Sequence, residues 1–135
     1  MRTPSKSNPY WLSKHNFLMV VHFCLQYPEW QREKEEILLD AQASGIRYTD
    51  MPKGTAFDPD PTMEAGGRLA ELSRRIDIIN KTAYEISPQL ARWLIKGVTE
   101  NLSYESLRSA HGLPCGDKQY RKIRQRFYYE VSKKL

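Results

Sequence analysis

Residues 102–131 read LSYESLRSAHGLPCGDKQYRKIRQRFYYEV, and this stretch decides the fold class. Ser103 is a typical N-cap residue, so a short helix is predicted to begin after it. Gly112 suits the turn that ends this helix, and Asp117 can begin a longer, basic helix. The stretch therefore predicts two helices joined by a short turn.

A further helix is predicted directly upstream. Ser87 and Pro88 form a cap followed by proline at the first helical position, and Gly97 is expected to end the helix. The three predicted helices span residues 88–96, 103–110 and 117–133. Helices in this order, with a short turn between the second and the third, form the helix-turn-helix arrangement.

The last helix has an apolar and a polar face at about 100° per residue. The face predicted to be buried consists of Tyr120, Ile123, Phe127 and Val131. The face predicted to be exposed consists of Lys118, Arg121, Lys122, Gln125 and Tyr129. Its ammonium, guanidinium and amide groups are donors suited to phosphates and base edges, which favours DNA binding.

The third helix of this arrangement enters the major groove with its N-terminal residues nearest the bases. Base-edge contacts are predicted for Lys118, Gln119, Lys122 and Gln125. Phosphate contacts are predicted for Arg121, Arg124, Arg126 and Lys133. Ser103 can add a phosphate contact because helix N-termini attract anions, although capping alone also explains this serine.

The net charge of +5 is concentrated at one end of the chain. The last twenty residues hold seven basic and two acidic side chains, so their surplus equals that of the whole chain. This distribution indicates an anionic partner for the last helix, nucleic acid being the commonest, whereas a solvated basic face is the alternative.

The rest of the chain also carries helix signals, so the predicted fold class is all-α. Residues 1–45 are predicted as a helical N-terminal portion, with a disordered tail over residues 1–9. Ser13 can cap the first helix, and Pro28 interrupts or restarts it. The second helix is expected to end at Gly45 and to be anchored by Trp30, Ile37 and Leu38.

Residues 46–61 combine three prolines with three aspartates and are predicted as a loop or linker between the two portions. Residues 62–135 are predicted as a helical domain that ends in the helix-turn-helix, with Thr62 capping its first long helix. An apolar stripe in that helix consists of Leu69, Leu72, Ile76, Ile79 and Ala83. The stripe predicts packing within the monomer or, alternatively, a homodimer through the 62–84 helix.

Residues 98–135 (VTENLSYESLRSAHGLPCGDKQYRKIRQRFYYEVSKKL) resemble the sigma-factor region 4 helix-turn-helix of phage late-gene transcription regulators of the ArpU and RinA kind. Residues 10–30 (YWLSKHNFLMVVHFCLQYPEW) and the later DMPKG are similar to small proteins encoded in phages and integrated elements. The turn LPCGDKQ is longer than the usual turn of this arrangement. Its length affects, by a residue or two, which positions of the third helix, the recognition helix, face the DNA.

The resemblance implies a phage-encoded regulator that binds double-stranded DNA and recruits RNA polymerase. Its DNA-contacting positions fall on Ser103, Lys118, Gln119, Arg121, Lys122 and Gln125. Two other functions remain open. One is a DNA-packaging subunit resembling small terminase, in which long helices assemble a ring. The other is a phage inhibitor that binds a host nucleic-acid enzyme through the basic face.

No enzyme, cofactor or metal site is predicted. His111 and Cys115 lie close in sequence, but no further clustered pair completes four zinc ligands. Asp58 and Asp60 alternate with prolines, so turn formation explains them. The chain has no run of about 20 apolar residues, so we expect it in the host cytoplasm rather than in a membrane.

Overall fold

A computed structural model of the chain describes residues 5–44 and 61–135, and the side chains of residues 44 and 61–63 are not among those described. The described residues form six helices and no strand, which confirms the all-α prediction. The helices are α1 (Lys14–Leu25), α2 (Tyr27–Ser44), α3 (Pro61–Ile86), α4 (Ala91–Glu100), α5 (Tyr104–His111) and α6 (Asp117–Lys134). Among these residues, no helix combines the length and the apolar character needed to cross a membrane.

The first two helices follow the local signals in the sequence. Ser13 caps α1, and its hydroxyl accepts a hydrogen bond from the Asn16 N–H over 3.4 Å. The chain then restarts as α2 with Pro28 in the first helical turn, where its missing N–H costs nothing. Gly45, the predicted end of α2, and the loop up to residue 60 lie outside the described residues.

One predicted anchor of α2 is wrong, because Leu38 is 45% exposed. Trp30 is buried and Ile37 is half-buried, as the sequence predicts. Among the described residues of α2, Tyr27 and Ala41 are also buried, and Ala41 lies four residues after Ile37 and therefore on the same side of the helix.

The long helix α3 begins at Pro61, one residue before the predicted cap Thr62, whose side chain lies outside the described set. It packs against α2, α4 and α6. Its apolar stripe faces these neighbours, so Leu69 is half-buried and the rest of the stripe is buried: Leu72, Ile76, Ile79 and Ala83. The stripe is thus used within the monomer, and a homodimer through this helix would need another of its faces.

Gly97 does not end α4, contrary to the sequence prediction. The start predicted at Pro88 is also wrong: residues 88–90 form a turn in which the Leu90 N–H donates to the Ser87 hydroxyl, and α4 runs from Ala91 to Glu100. Gly97 lies inside this helix, where Tyr120 of α6 and Leu107 of α5 approach its backbone closely. The glycine is needed because a β-carbon would occupy the space that the Tyr120 side chain fills.

The predicted boundary at residues 46–61 does not separate two cores. Phe17 of α1 packs edge-on against Tyr128 of α6, with ring centroids 5.3 Å apart. Val20 and Cys24 are fully buried in the same cluster as the helix-turn-helix residues. The N-terminal portion therefore buries the inner face of α6, which fixes the opposite face toward solvent.

Candidate nucleic-acid interface

The turn between α5 and α6 is held by contacts on both sides. Ser103 caps α5 by accepting a hydrogen bond from the Ser106 N–H over 3.2 Å. Gly112 adopts the left-handed conformation (φ +69°), which lets the Leu113 N–H donate back to the Leu107 carbonyl.

The hydroxyl of Tyr104 reaches across this turn and donates to the Cys115 carbonyl over 2.8 Å. The indole N–H of Trp93 donates to the His111 carbonyl over 2.8 Å and ties α4 to the end of α5. The helix α6 begins at Asp117, as predicted, after the longer turn LPCGDKQ.

Three cations form a row along the exposed side of α6. Lys118, Lys122 and Arg126 are exposed and recur every four residues, so they span about 12 Å of helix at 1.5 Å per residue. None of them has an acidic partner among the residues that the structure describes. Gln119 is exposed beside Lys118. We call Lys118, Lys122 and Arg126 the basic row.

Two other residues predicted to contact phosphates, Arg121 and Lys133, are exposed, but each already lies close to an acidic side chain. Arg121 pairs with Asp117 one turn earlier, with 3.0 Å between guanidinium nitrogen and carboxylate oxygen. Lys133 lies 3.8 Å from a Glu130 oxygen and 4.4 Å from the centroid of the Tyr129 ring. Exposed pairs of this kind are weak, typically under about 1 kcal/mol, so a phosphate can replace the carboxylate.

Arg124 is a correction to the predicted interface, because it is only 6% exposed and lies in the interior. One terminal nitrogen donates to the Leu102 carbonyl (2.8 Å) and to the Tyr120 hydroxyl (3.0 Å), and the other donates to the Tyr128 hydroxyl (3.3 Å). Arg124 thereby ties α6 to the loop before α5. Its spacing of four residues from both tyrosines was the sequence signal for this role.

Both phenols around Arg124 are neutral at ordinary pH. Burial raises the pKa of Tyr128 to about 12, although the nearby Arg124 cation opposes the shift. Burial also raises the pKa of Tyr120, again against the effect of Arg124. The guanidinium is therefore surrounded by neutral acceptors.

Gln125 and Tyr129 are a second correction, since the N-terminal segment covers both. The Asn8 amide donates to the Gln125 side-chain oxygen over 3.0 Å, and the Tyr10 ring lies 5.6 Å from the Tyr129 ring. Residues 5–10, which we call the N-terminal strap, begin with a turn in which the Asn8 N–H donates to the Ser5 carbonyl.

The structure thus places Asn8 against α6, whereas the sequence predicts a disordered tail over residues 1–9. No local pattern indicated the strap, because Asn8 and Gln125 are 117 residues apart. Its contacts leave the N-terminal half of α6 as the open part of the predicted DNA-binding face, with Lys118, Gln119 and Lys122 all exposed there.

Comparison of the chain with protein-family models, curated proteins and solved structures finds no significant match. The resemblance to phage late-gene regulators therefore stays a prediction. Within residues 5–44 and 61–135, no group of three or more His, Cys, Asp or Glu side chains is placed to hold a metal ion.

Proposed function

We propose that the chain is a DNA-binding transcriptional regulator that docks the N-terminal half of α6 on duplex DNA. The observation that carries the proposal is the basic row, which is exposed and has no acidic partner among the described residues. Three cations on one helix face suit the phosphates that flank a groove, so Lys118 and Lys122, for which the sequence predicts base-edge contacts, are assigned to phosphates together with Arg126.

The position of the row supports the same assignment. It begins at the start of the third helix of the α4–α5–α6 unit, the part of a recognition helix that lies nearest the bases. Gln119, exposed beside Lys118, supplies an amide that can bond an adenine edge. Ser103 is exposed at the start of α5 and can add a phosphate contact.

The contacts on the inner face of α6 give the row a rigid base. The aromatic residues Tyr120, Phe127 and Tyr128 are buried. Lys134 at the end of the helix donates to Thr82 and pairs with Glu85 of α3 over 3.1 Å. A helix held along its whole length loses little conformational entropy when a ligand binds its outer face.

Charge-removal variants test the assignment. Lys118→Ala and Lys122→Ala should each weaken binding to duplex DNA and reduce the salt slope by about 0.9 per lost phosphate contact. The matched control is Arg32→Ala, which removes an exposed cation from α2 and should change neither quantity. Equal losses in all three variants, or none in the lysine variants, would show that α6 does not form the interface.

The phage late-gene role and the recruitment of RNA polymerase rest on the sequence resemblance. Of the alternatives, a terminase-like ring built on the apolar stripe of α3 is disfavoured, because Leu72, Ile76, Ile79 and Ala83 are buried within the monomer. Molar mass measured in the DNA-binding samples distinguishes the regulator from the terminase-like subunit, since a ring is many times heavier than a monomer or dimer.

A further inference from the structure

A cleft opens beside the start of α6. It lies between the N-terminal strap, the α4–α5 loop and α6, and its volume is about 1070 Å³. Small-molecule sites in proteins commonly measure about 300–1,000 Å³. The polar side chains that matter for its chemistry are Asn8, Ser103, Glu105, Asp117, Arg121 and Arg124.

Arg124 lines this cleft and is a buried cation without a carboxylate. All its partners are neutral, and its Nε atom has no hydrogen-bond partner in the described structure. Taking a charge out of water costs several kcal/mol unless an opposite charge compensates it. Arg124 thus supplies an uncompensated positive potential at the wall of the cleft, which favours an anion there.

The N-terminus of α5 lines the same cleft and adds donors. The Ser103 hydroxyl is used by the Ser106 N–H, but the first turn leaves the N–H groups of Tyr104 and Glu105 without helical partners. These N–H groups and the helix dipole attract anions. Arg121 lines the cleft from α6, and 73% of its side chain is exposed.

Two carboxylates also line the cleft, and they limit its affinity. Asp117 already neutralises Arg121, and Glu105 lies in the first turn of α5. An incoming anion must therefore compete with Asp117 for the guanidinium. A phosphate group is better suited to this than a carboxylate, because its oxygens can accept from Arg121 and from the α5 N–H groups together.

We propose that this cleft binds a phosphate group, held between the N-terminus of α5 and Arg121, with Arg124 as the buried cation beside it. The cleft is larger than a phosphate, so the group is part of a larger molecule. That molecule is either a small phosphorylated ligand or the DNA backbone. The proposal does not require that the basic row of α6 bind DNA.

Titration with inorganic phosphate, followed by amide NMR at constant ionic strength, tests the proposal. Saturable shifts are expected at the amides of Tyr104 and Glu105. Arg121→Gln should weaken the affinity about tenfold, the effect of losing one charge-assisted hydrogen bond. Arg32→Gln, the same charge change on α2, should leave it unchanged. Arg124→Lys keeps the buried positive charge and should therefore leave the affinity close to that of the wild type.

Arg121 is exposed and pairs with Asp117 one turn earlier, so Arg121→Gln should fold and its result stays interpretable even if Arg124→Lys unfolds the chain. An absence of saturable shifts, or equal affinity in the wild type, Arg121→Gln and Arg32→Gln, would overturn the proposal.

A second titration with a short DNA duplex separates the two sources of phosphate. If the duplex shifts the Tyr104 and Glu105 amides and inorganic phosphate competes with it, the site takes a backbone phosphate. If inorganic phosphate binds there and the duplex leaves these amides unchanged, the site takes a small phosphorylated ligand. Either result supports a phosphate site. Failure of DNA binding alone would overturn the proposed function and leave this site intact.

Discussion

Gly97→Ala is expected to destabilise the packing of α4 against α5 and α6. A β-carbon at this position would overlap the Tyr120 hydroxyl and lie 3.0 Å from Leu107 Cδ1. The Tyr120 hydroxyl cannot simply move away, because it is buried and accepts a hydrogen bond from Arg124 over 3.0 Å.

The magnitude follows from three effects. Overpacking a core costs about 1–3 kcal/mol. Breaking a buried hydrogen bond from a charged donor costs about 1.5–3 kcal/mol. Alanine regains about 1 kcal/mol of helix propensity relative to glycine. We therefore expect the free energy of unfolding to fall by about 2–4 kcal/mol, measured by urea denaturation with circular dichroism.

Gly67→Ala is the matched control, because Gly67 is an exposed glycine of α3 and a β-carbon there would meet nothing within 4 Å. This variant should be more stable than the wild type by up to about 1 kcal/mol. Gly97→Ala that is as stable as Gly67→Ala would refute the close packing of α4 against Tyr120.

The two cysteines should react differently with a thiol reagent under native conditions. Cys24 is fully buried and burial raises its pKa to about 12, so it should stay unmodified until the protein unfolds, whereas the partly exposed Cys115 should react slowly. Two equally fast thiols would contradict the packing of α1. Acid should weaken the fold through Glu71, because its two arginine partners lower its pKa from 4.5 to about 2. The ionised carboxylate favours the folded state, so its contribution is present above pH 4.5 and is lost as the pH falls toward 2. The free energies of unfolding of the wild type and Glu71→Gln, measured as a function of pH, should converge as the pH falls from 4.5 toward 2. A difference that stays constant with pH would exclude a stabilising role for the ionised Glu71.

Local signals in the sequence predicted the frame of the helix-turn-helix. Ser103 caps α5, Gly112 adopts the left-handed turn conformation and Asp117 begins α6. Each depends on the chemistry of a few consecutive residues, which a sequence shows directly. Gly97 was misread because a helix stop and a close helix contact need the same residue, and only the tertiary structure distinguishes them.

The candidate site was predicted in part, and its errors have a common cause. Lys118 and Lys122 are exposed as predicted, because helical periodicity alone places them opposite the apolar face. Arg124 and Gln125 were misplaced because each has a partner in another segment, although the other two acceptors of Arg124, Tyr120 and Tyr128, lie on α6 itself. Arg124 bonds the loop before α5, and Gln125 bonds the N-terminal strap. A helical wheel cannot show which of its polar positions another segment covers.

The most direct test of the proposed function is binding of the purified protein to random-sequence duplex DNA across a salt series, with molar mass measured in the same samples. If the basic row contacts three phosphates, the logarithm of affinity should fall linearly with the logarithm of salt concentration, with a slope of about −2.7. A monomer or dimer should carry this binding. No binding at low salt, or an affinity that salt does not change, would contradict the assignment of α6 as a DNA-binding helix.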